Sequence, residues 1–161
     1  MIKHTIVIIV VFFTISCQDK AEYVQGDWIT GTEQEKIEKT ERHFRGFDMA
    51  MVETGYRYQE LYWAGMDANW PYAEYQINKL ELAISQGLER RPARAKSAKH
   101  FMEQAIPEMK SAISKKDTAV FQRGFQNLTI QCNACHAMEK VPHFNVIIPK
   151  INLSPISLEN Y

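Results

Sequence analysis

Cys132-Asn133-Ala134-Cys135-His136 is the segment of this chain whose residue types and spacing most directly specify chemistry. C-x-x-C-H is the attachment signature of a c-type haem. The two thiols add across the haem vinyl groups to form permanent thioethers, and the adjacent His136 becomes the proximal iron ligand. Asn133 and Ala134 set the separation of the sulfurs. Two other uses of a C-x-x-C pair fit less well. A thioredoxin-like redox pair expects a βαβ setting, and nothing here alternates strand with helix. A closed zinc site needs two more ligands at finger-like spacing, and His143 is the sole later candidate. The motif is therefore read as haem-binding, with one covalent haem c as the expected cofactor.

The start of the chain bears on compartment. Met1 to Ser16 carries one basic residue, Lys3, followed by the apolar run Ile6 to Phe13. That run is too short to span a bilayer and matches the apolar region of a secretory signal. It ends at Thr14-Ile15-Ser16-Cys17, which resembles a bacterial lipobox, although Thr14 stands where a large aliphatic residue is usual. Lipidation of Cys17 is preferred over simple cleavage near Ser16. The mature protein would then be tethered by acyl chains on the periplasmic side without spanning the membrane. Export also agrees with the motif, because c-type haem is attached outside the cytoplasm.

The 161 residues, less this leader, have the length of one domain with a real core. Nineteen basic residues balance nineteen acidic ones, which argues against a nucleic-acid footprint and offers no strong charge patch to steer a partner.

Elements that could position the motif follow from periodicity and punctuation. Residues 17–31 read as a flexible tether, and 32–140 as the folded domain. Thr32-Glu33-Gln34-Glu35 has the form of a capping box. Helical spacing then runs to Ala68, with Ile37, Phe44, Met51, Tyr58, Leu61, Tyr62 and Gly65 on one stripe. Gly46 and Gly55 weaken its middle, which favours a short helix followed by a main one from about Phe47. Asn69-Trp70-Pro71 opens a second helix to about Leu88. A third runs from about Arg94 to Lys115, where Pro107 should kink or restart it. Asp117 caps a fourth, whose stripe Phe121, Phe125, Leu128 and Cys132 leads into Cys135-His136. Residues 141–161, with three prolines and Val146-Ile147-Ile148, read as an extended tail laid over the helices. The expected fold is all-α: an antiparallel four-helix bundle with a covalently attached haem.

Four helices with C-x-x-C-H near the end of the last resemble the cytochrome c-prime family, the class II c-type cytochromes. The likeness is closest to a bacterial group related to that family, on Leu61-Tyr62-Trp63-Ala64-Gly65 with Asn69-Trp70-Pro71, on the haem segment, and on the Pro- and Ile-containing tail. It covers roughly Phe47 to Pro149. It implies that the first main helix supplies the distal face of the haem, either a methionine ligand or, in c-prime proteins proper, an apolar residue facing five-coordinate iron. The matching region here is Met49-Ala50-Met51-Val52. Met51 shares the stripe of Tyr58 and Leu61, whereas Met49 is turned about 160° away, so Met51 is the candidate ligand. Some members of the group carry histidine near Arg57 or Tyr58. None stands there here, which leaves Arg57 as a candidate partner for a haem propionate.

By ordinary base rates a methionine on an apolar stripe is core, and Met66, Met102 and Met109 are read as core or loop residues. His43 and His100 fall on polar faces and are read as solvated, and His143 as lying near the haem edge. Tyr58, Tyr62, Trp63 and Trp70 are read as packing around the haem and the helix junction.

The expected function is one-electron transfer to a redox partner protein through a His/Met-ligated haem. The alternative is a five-coordinate haem protein that binds nitric oxide or carbon monoxide. A third reading is a redox subunit of a membrane-bound complex, and a second copy of the chain is a further candidate partner. No nucleophile–base or paired-carboxylate arrangement stands out, so an independent enzyme is not expected.

Overall fold

The computed structural model describes residues 26–154 and residue 156. The expected leader Met1 to Ser16, the lipidation site Cys17 and the tether up to residue 25 lie outside the described residues. Among the described residues every regular element is helical, so the all-α expectation holds. None of these helices is long and apolar enough to cross a membrane.

Contacts divide the chain after Thr40, within helix α1 (Glu33–Phe44). In the first unit the capping box forms as expected. The Glu35 amide donates to the Thr32 hydroxyl oxygen at 3.3 Å, and the Thr32 amide donates back to the Glu35 carboxylate at 2.7 Å. Lys39 reaches back to the Thr30 carbonyl at 2.6 Å. Helix α1 buries no residue.

The second unit holds α2 (Phe47–Met66), α3 (Trp70–Arg90), α4 (Ala95–His100), α5 (Ile106–Ser114) and α6 (Thr118–Met138). Between α1 and α2, Arg45 takes φ +60° and Gly46 is extended. The short helix followed by a main one from Phe47 is therefore as expected, with the break at Arg45 and Gly46. Ile37 and Phe44 are exposed, and burial begins on α2 with Ala50, Thr54, Tyr58 and Leu61.

Asn69 caps α3 by accepting from the Tyr72 amide at 3.3 Å, with Pro71 in the first turn. Pro107 is accommodated by a turn of wider π-helix over Phe101–Ala105, after which α5 restarts. Proline has no N–H for the preceding turn, and its ring crowds the carbonyl four residues back; the wider turn relieves both. Asp117 caps α6 by accepting from the Val120 amide at 2.8 Å.

Isolated helices of these lengths are marginal in water, so packing of their apolar faces must hold them. Leu61 of α2, Ile77 and Leu80 of α3, Ile106 and Met109 of α5, and Phe121, Phe125 and Leu128 of α6 form one buried cluster. Each such side chain contributes about 1.5–3 kcal/mol on full burial. Gly65 lets α2 approach α6 closely: a Cβ there would stand 2.1 Å from the Phe121 ring. Cys132, one turn beyond Leu128, packs at the edge of this cluster.

Candidate functional site

Helix α6 carries the motif on its last two turns and ends just beyond it. Lys140 adopts φ +61°, its amide bonds the Ala137 carbonyl at 3.0 Å, and the Val141 amide bonds the His136 carbonyl at 2.9 Å. This is the pairing of a Schellman stop, with Lys140 at the left-handed position where glycine is usual. It reverses the chain, so residues 144–148 return along the helix as an extended strap over the motif.

The strap is held at several points. The His136 Nδ1 lies 2.6 Å from the Phe144 carbonyl oxygen. Asn133 Nδ2 donates to the Val146 carbonyl at 2.9 Å, and the Val146 amide donates to Asn133 Oδ1 at 2.8 Å. The Tyr58 hydroxyl donates to the Ile147 carbonyl at 3.3 Å and lies 2.7 Å from the Thr129 hydroxyl. Val146 and Ile148 pack against the core, whereas Phe144 and Ile147 face outward. Further along, Ser154 donates to the buried Glu60 carboxylate at 2.8 Å, which also accepts from Tyr72 at 2.9 Å.

A carbonyl oxygen can only accept, so Nδ1 of His136 carries the proton. In the neutral ring Nε2 then keeps its lone pair.

The two thiols have different surroundings. Burial pushes the Cys132 thiol up to about 12, and Cys135 adds to the effect. Burial also raises Cys135, on the side of α6 that faces Ser97; the Ser97 hydrogen bond and nearby Arg94 partly offset this, while Glu139 reinforces it. Arg94 and Ser97 both bond Glu139, which ties the end of α6 to α4. Both thiols are thus held protonated. A dithiol built for exchange needs the reverse, a lowered thiol.

On α2, Met51 is half-buried against the core, whereas Met49 is exposed. Tyr58 packs on Phe125 at 4.6 Å between ring centres, and Tyr62 on the same ring at 4.9 Å. The Thr54 hydroxyl, on the stripe of Met51 and Tyr58, is buried without a hydrogen-bond partner. Arg57 is directed to α3. It bonds Glu53 at 3.2 Å and Gln76 at 3.3 Å, and lies over the Tyr75 ring. His143 is exposed, with its ring 4.4 Å from that of Phe144, and His100 is exposed on α4. Of the methionines read as core or loop, Met109 is fully buried, and Met66 and Met102 are half-buried.

Sequence reasoning missed Asn133 as more than a spacer, the Tyr58–Thr129 pair and the burial of Glu60. An amide inside C-x-x-C-H is the one signal that could have drawn attention to Asn133.

A cavity of about 200 Å³ lies between α3 and α5, lined by Trp70, Ile77, Lys110 and Ile113 among others. Trp70 faces Phe121, so this hollow is at the opposite end of α6 from the motif. It is also below the ~300–1,000 Å³ usual for a cofactor site. Among the described residues, no group of three or more His, Cys, Asp or Glu side chains is placed to hold a metal ion. No family model, curated protein or solved structure matches the chain.

Proposed function

We propose that the chain is a c-type cytochrome that carries single electrons, with its helices arranged as an antiparallel four-helix bundle of the cytochrome c-prime type. Cys132 and Cys135 hold one haem c, His136 is the proximal ligand and Met51 the distal one. The observation that carries the reading is the state of His136. It directly follows two free, protonated thiols one helical turn apart, and its Nδ1 is committed to the Phe144 carbonyl, leaving Nε2 available. That donor set suits a covalent haem. The buried, unpartnered Thr54 hydroxyl, on the stripe of Met51, is a polar atom that a bound group could satisfy.

A haem with His/Met ligation supplies reversible one-electron chemistry at its iron. The chain's own residues do the rest. Tyr58, Tyr62 and Phe125 form an aromatic wall beside the motif. Val146 and Ile148 help exclude water from it. Arg57, engaged by Glu53 and Gln76, is left out of the proposed haem contacts. The wider proposal is a protein exported to the periplasmic side, anchored through Cys17 and exchanging electrons with a protein partner.

The test is to produce the exported chain with haem-attachment machinery and to take its denatured mass and its optical spectrum. A covalent haem adduct and a low-spin spectrum with a methionine–iron charge-transfer band are expected, and the band should vanish in Met51→Ala. A chain that carries no haem overturns the proposal. A high-spin ferric spectrum, with rapid carbon monoxide binding once reduced, moves the function to gas binding at five-coordinate iron. Cys17→Ala should shift the protein from the membrane fraction to the soluble one.

A further inference from the structure

Asn133 stands between the two cysteines, yet its carboxamide is turned to the strap. Its oxygen accepts from the Val146 amide and its nitrogen donates to the Val146 carbonyl. The two bonds together fix the orientation of the amide, because a flipped group would face donor to donor and acceptor to acceptor. They also fix the strap's position along α6. Two residues before Val146, the Phe144 carbonyl meets His136 Nδ1 at 2.6 Å. A slip of the strap by about 1 Å would stretch that bond beyond the useful hydrogen-bond range.

We propose that Asn133 is a positioning residue for His136: by gripping Val146 at both backbone atoms, it holds the Phe144 carbonyl against Nδ1 and thereby presents Nε2 as the nitrogen with the free lone pair. A histidine that donates its second N–H in this way is fixed in tautomer and ring orientation, and is a stronger ligand. The consequence for iron rests on the haem reading above; the effect on the ring does not.

Other contacts keep the strap docked when Asn133 is lost. Tyr58 still reaches Ile147, and Val146 and Ile148 still pack on the core. Asn133→Ala therefore changes register rather than folding, and Asn133→Leu, of similar size without hydrogen bonds, should behave alike. Ile148→Ala supplies the contrast, since it removes apolar packing and leaves both Asn133 bonds in place.

The experiment uses the full haem-bearing chain and reads two quantities: the reduction potential, and solvent exchange of the His136 Nδ1 proton by magnetic resonance in the reduced state. In both Asn133 variants the potential should rise, since an imidazole that has lost its Nδ1–H hydrogen bond donates less to the iron and favours its oxidised form less. Exchange of the Nδ1 proton should quicken by about tenfold, the equivalent of one neutral hydrogen bond. Ile148→Ala should lower thermal stability and leave both readouts near wild type. Wild-type potential and exchange in the Asn133 variants overturn the proposal, as does an Ile148→Ala variant that shifts both readouts equally. If the purified chain carries no covalent haem, the haem reading fails, and the ring nitrogen shifts of His136 in ¹⁵N-labelled full chain decide instead. One Nδ1-protonated tautomer in wild type and a mixture in Asn133→Ala support the proposal; the same tautomer in both overturns it.

Discussion

Along α6, Phe121, Phe125 and Leu128 are exposed by 1 % or less, whereas Cys132, Cys135 and His136, further along the same helix, are all half-buried. The first half is held by close apolar contact, with Trp70 and Gly65 set against the Phe121 ring. The second half is held by polar clasps: Asn133 to Val146, His136 to Phe144, and Glu139 to Arg94 and Ser97. Apolar packing tolerates little change in volume and orients no single atom. A hydrogen bond contributes less to stability but fixes one atom in one direction. The difference places apolar stability in the first half of α6 and the orientation of single polar atoms in the second.

The largest effect is expected where the packing is densest. Phe121→Ala removes a fully buried ring at the meeting point of α2, α3 and α6, and should cost about 3–5 kcal/mol in urea unfolding. Cys135→Ala, measured in the same way on haem-free chain, should cost about 1 kcal/mol or less, because Cys135 lies at the half-buried end. Equal losses for the two variants would erase the division of labour between the halves. Gly65→Ala probes the first half from the other side. Its Cβ would stand 2.1 Å from the Phe121 ring, so one helix must shift. A loss of about 1–3 kcal/mol is expected from this overpacking, with a urea midpoint lowered at unchanged slope. A neutral result would mean that α2 can move away from α6 freely.

The same division explains what the sequence made legible. The α6 stripe of Phe121, Phe125 and Leu128 is readable because burial imposes a helical period on residue type. Asn69 and Asp117 are readable as caps because each satisfies an amide three residues on. The haem proposal likewise starts from local spacing, since C-x-x-C-H lies within five consecutive residues. Asn133 was not readable, since it pairs with backbone atoms of Val146, and any residue in that place has the same amide and carbonyl. Glu60 was missed for a related reason. It lies off the apolar stripe of α2, and its partners Tyr72 and Ser154 come from α3 and from the chain beyond the strap. The break before Phe47 was legible from Gly46, but the exposure of Ile37 and Phe44 was not, because an apolar period in α1 does not say what, if anything, covers it.

Tyr58 stands where the two halves meet, and it offers a small but specific test. Its ring packs on Phe125 in the apolar half, while its hydroxyl reaches Thr129 and the strap carbonyl of Ile147. Tyr58→Phe keeps the ring and removes the clasp, so the expected loss is about 1 kcal/mol at neutral pH. Burial pushes the Tyr58 phenol up to about 12, against a Thr129 hydrogen bond that pulls it down, with Cys132 and Tyr62 adding to the rise. The ordinary value is 10.0, so the folded state keeps the proton through a range in which the unfolded chain has lost it. The stabilisation tied to that proton is fully present below about 10 and disappears as pH rises through about 12. Wild type should therefore lose stability across this window relative to Tyr58→Phe, which has nothing to titrate at that position, and the gap between them should close by about pH 11 and reverse above it. Unfolding both proteins in urea near neutral pH and again at about pH 11 measures the gap directly, with the other tyrosines cancelling in the difference. A gap that stays constant would mean that the Tyr58 hydroxyl faces water, and the strap would then be held by Asn133, His136 and the apolar anchors.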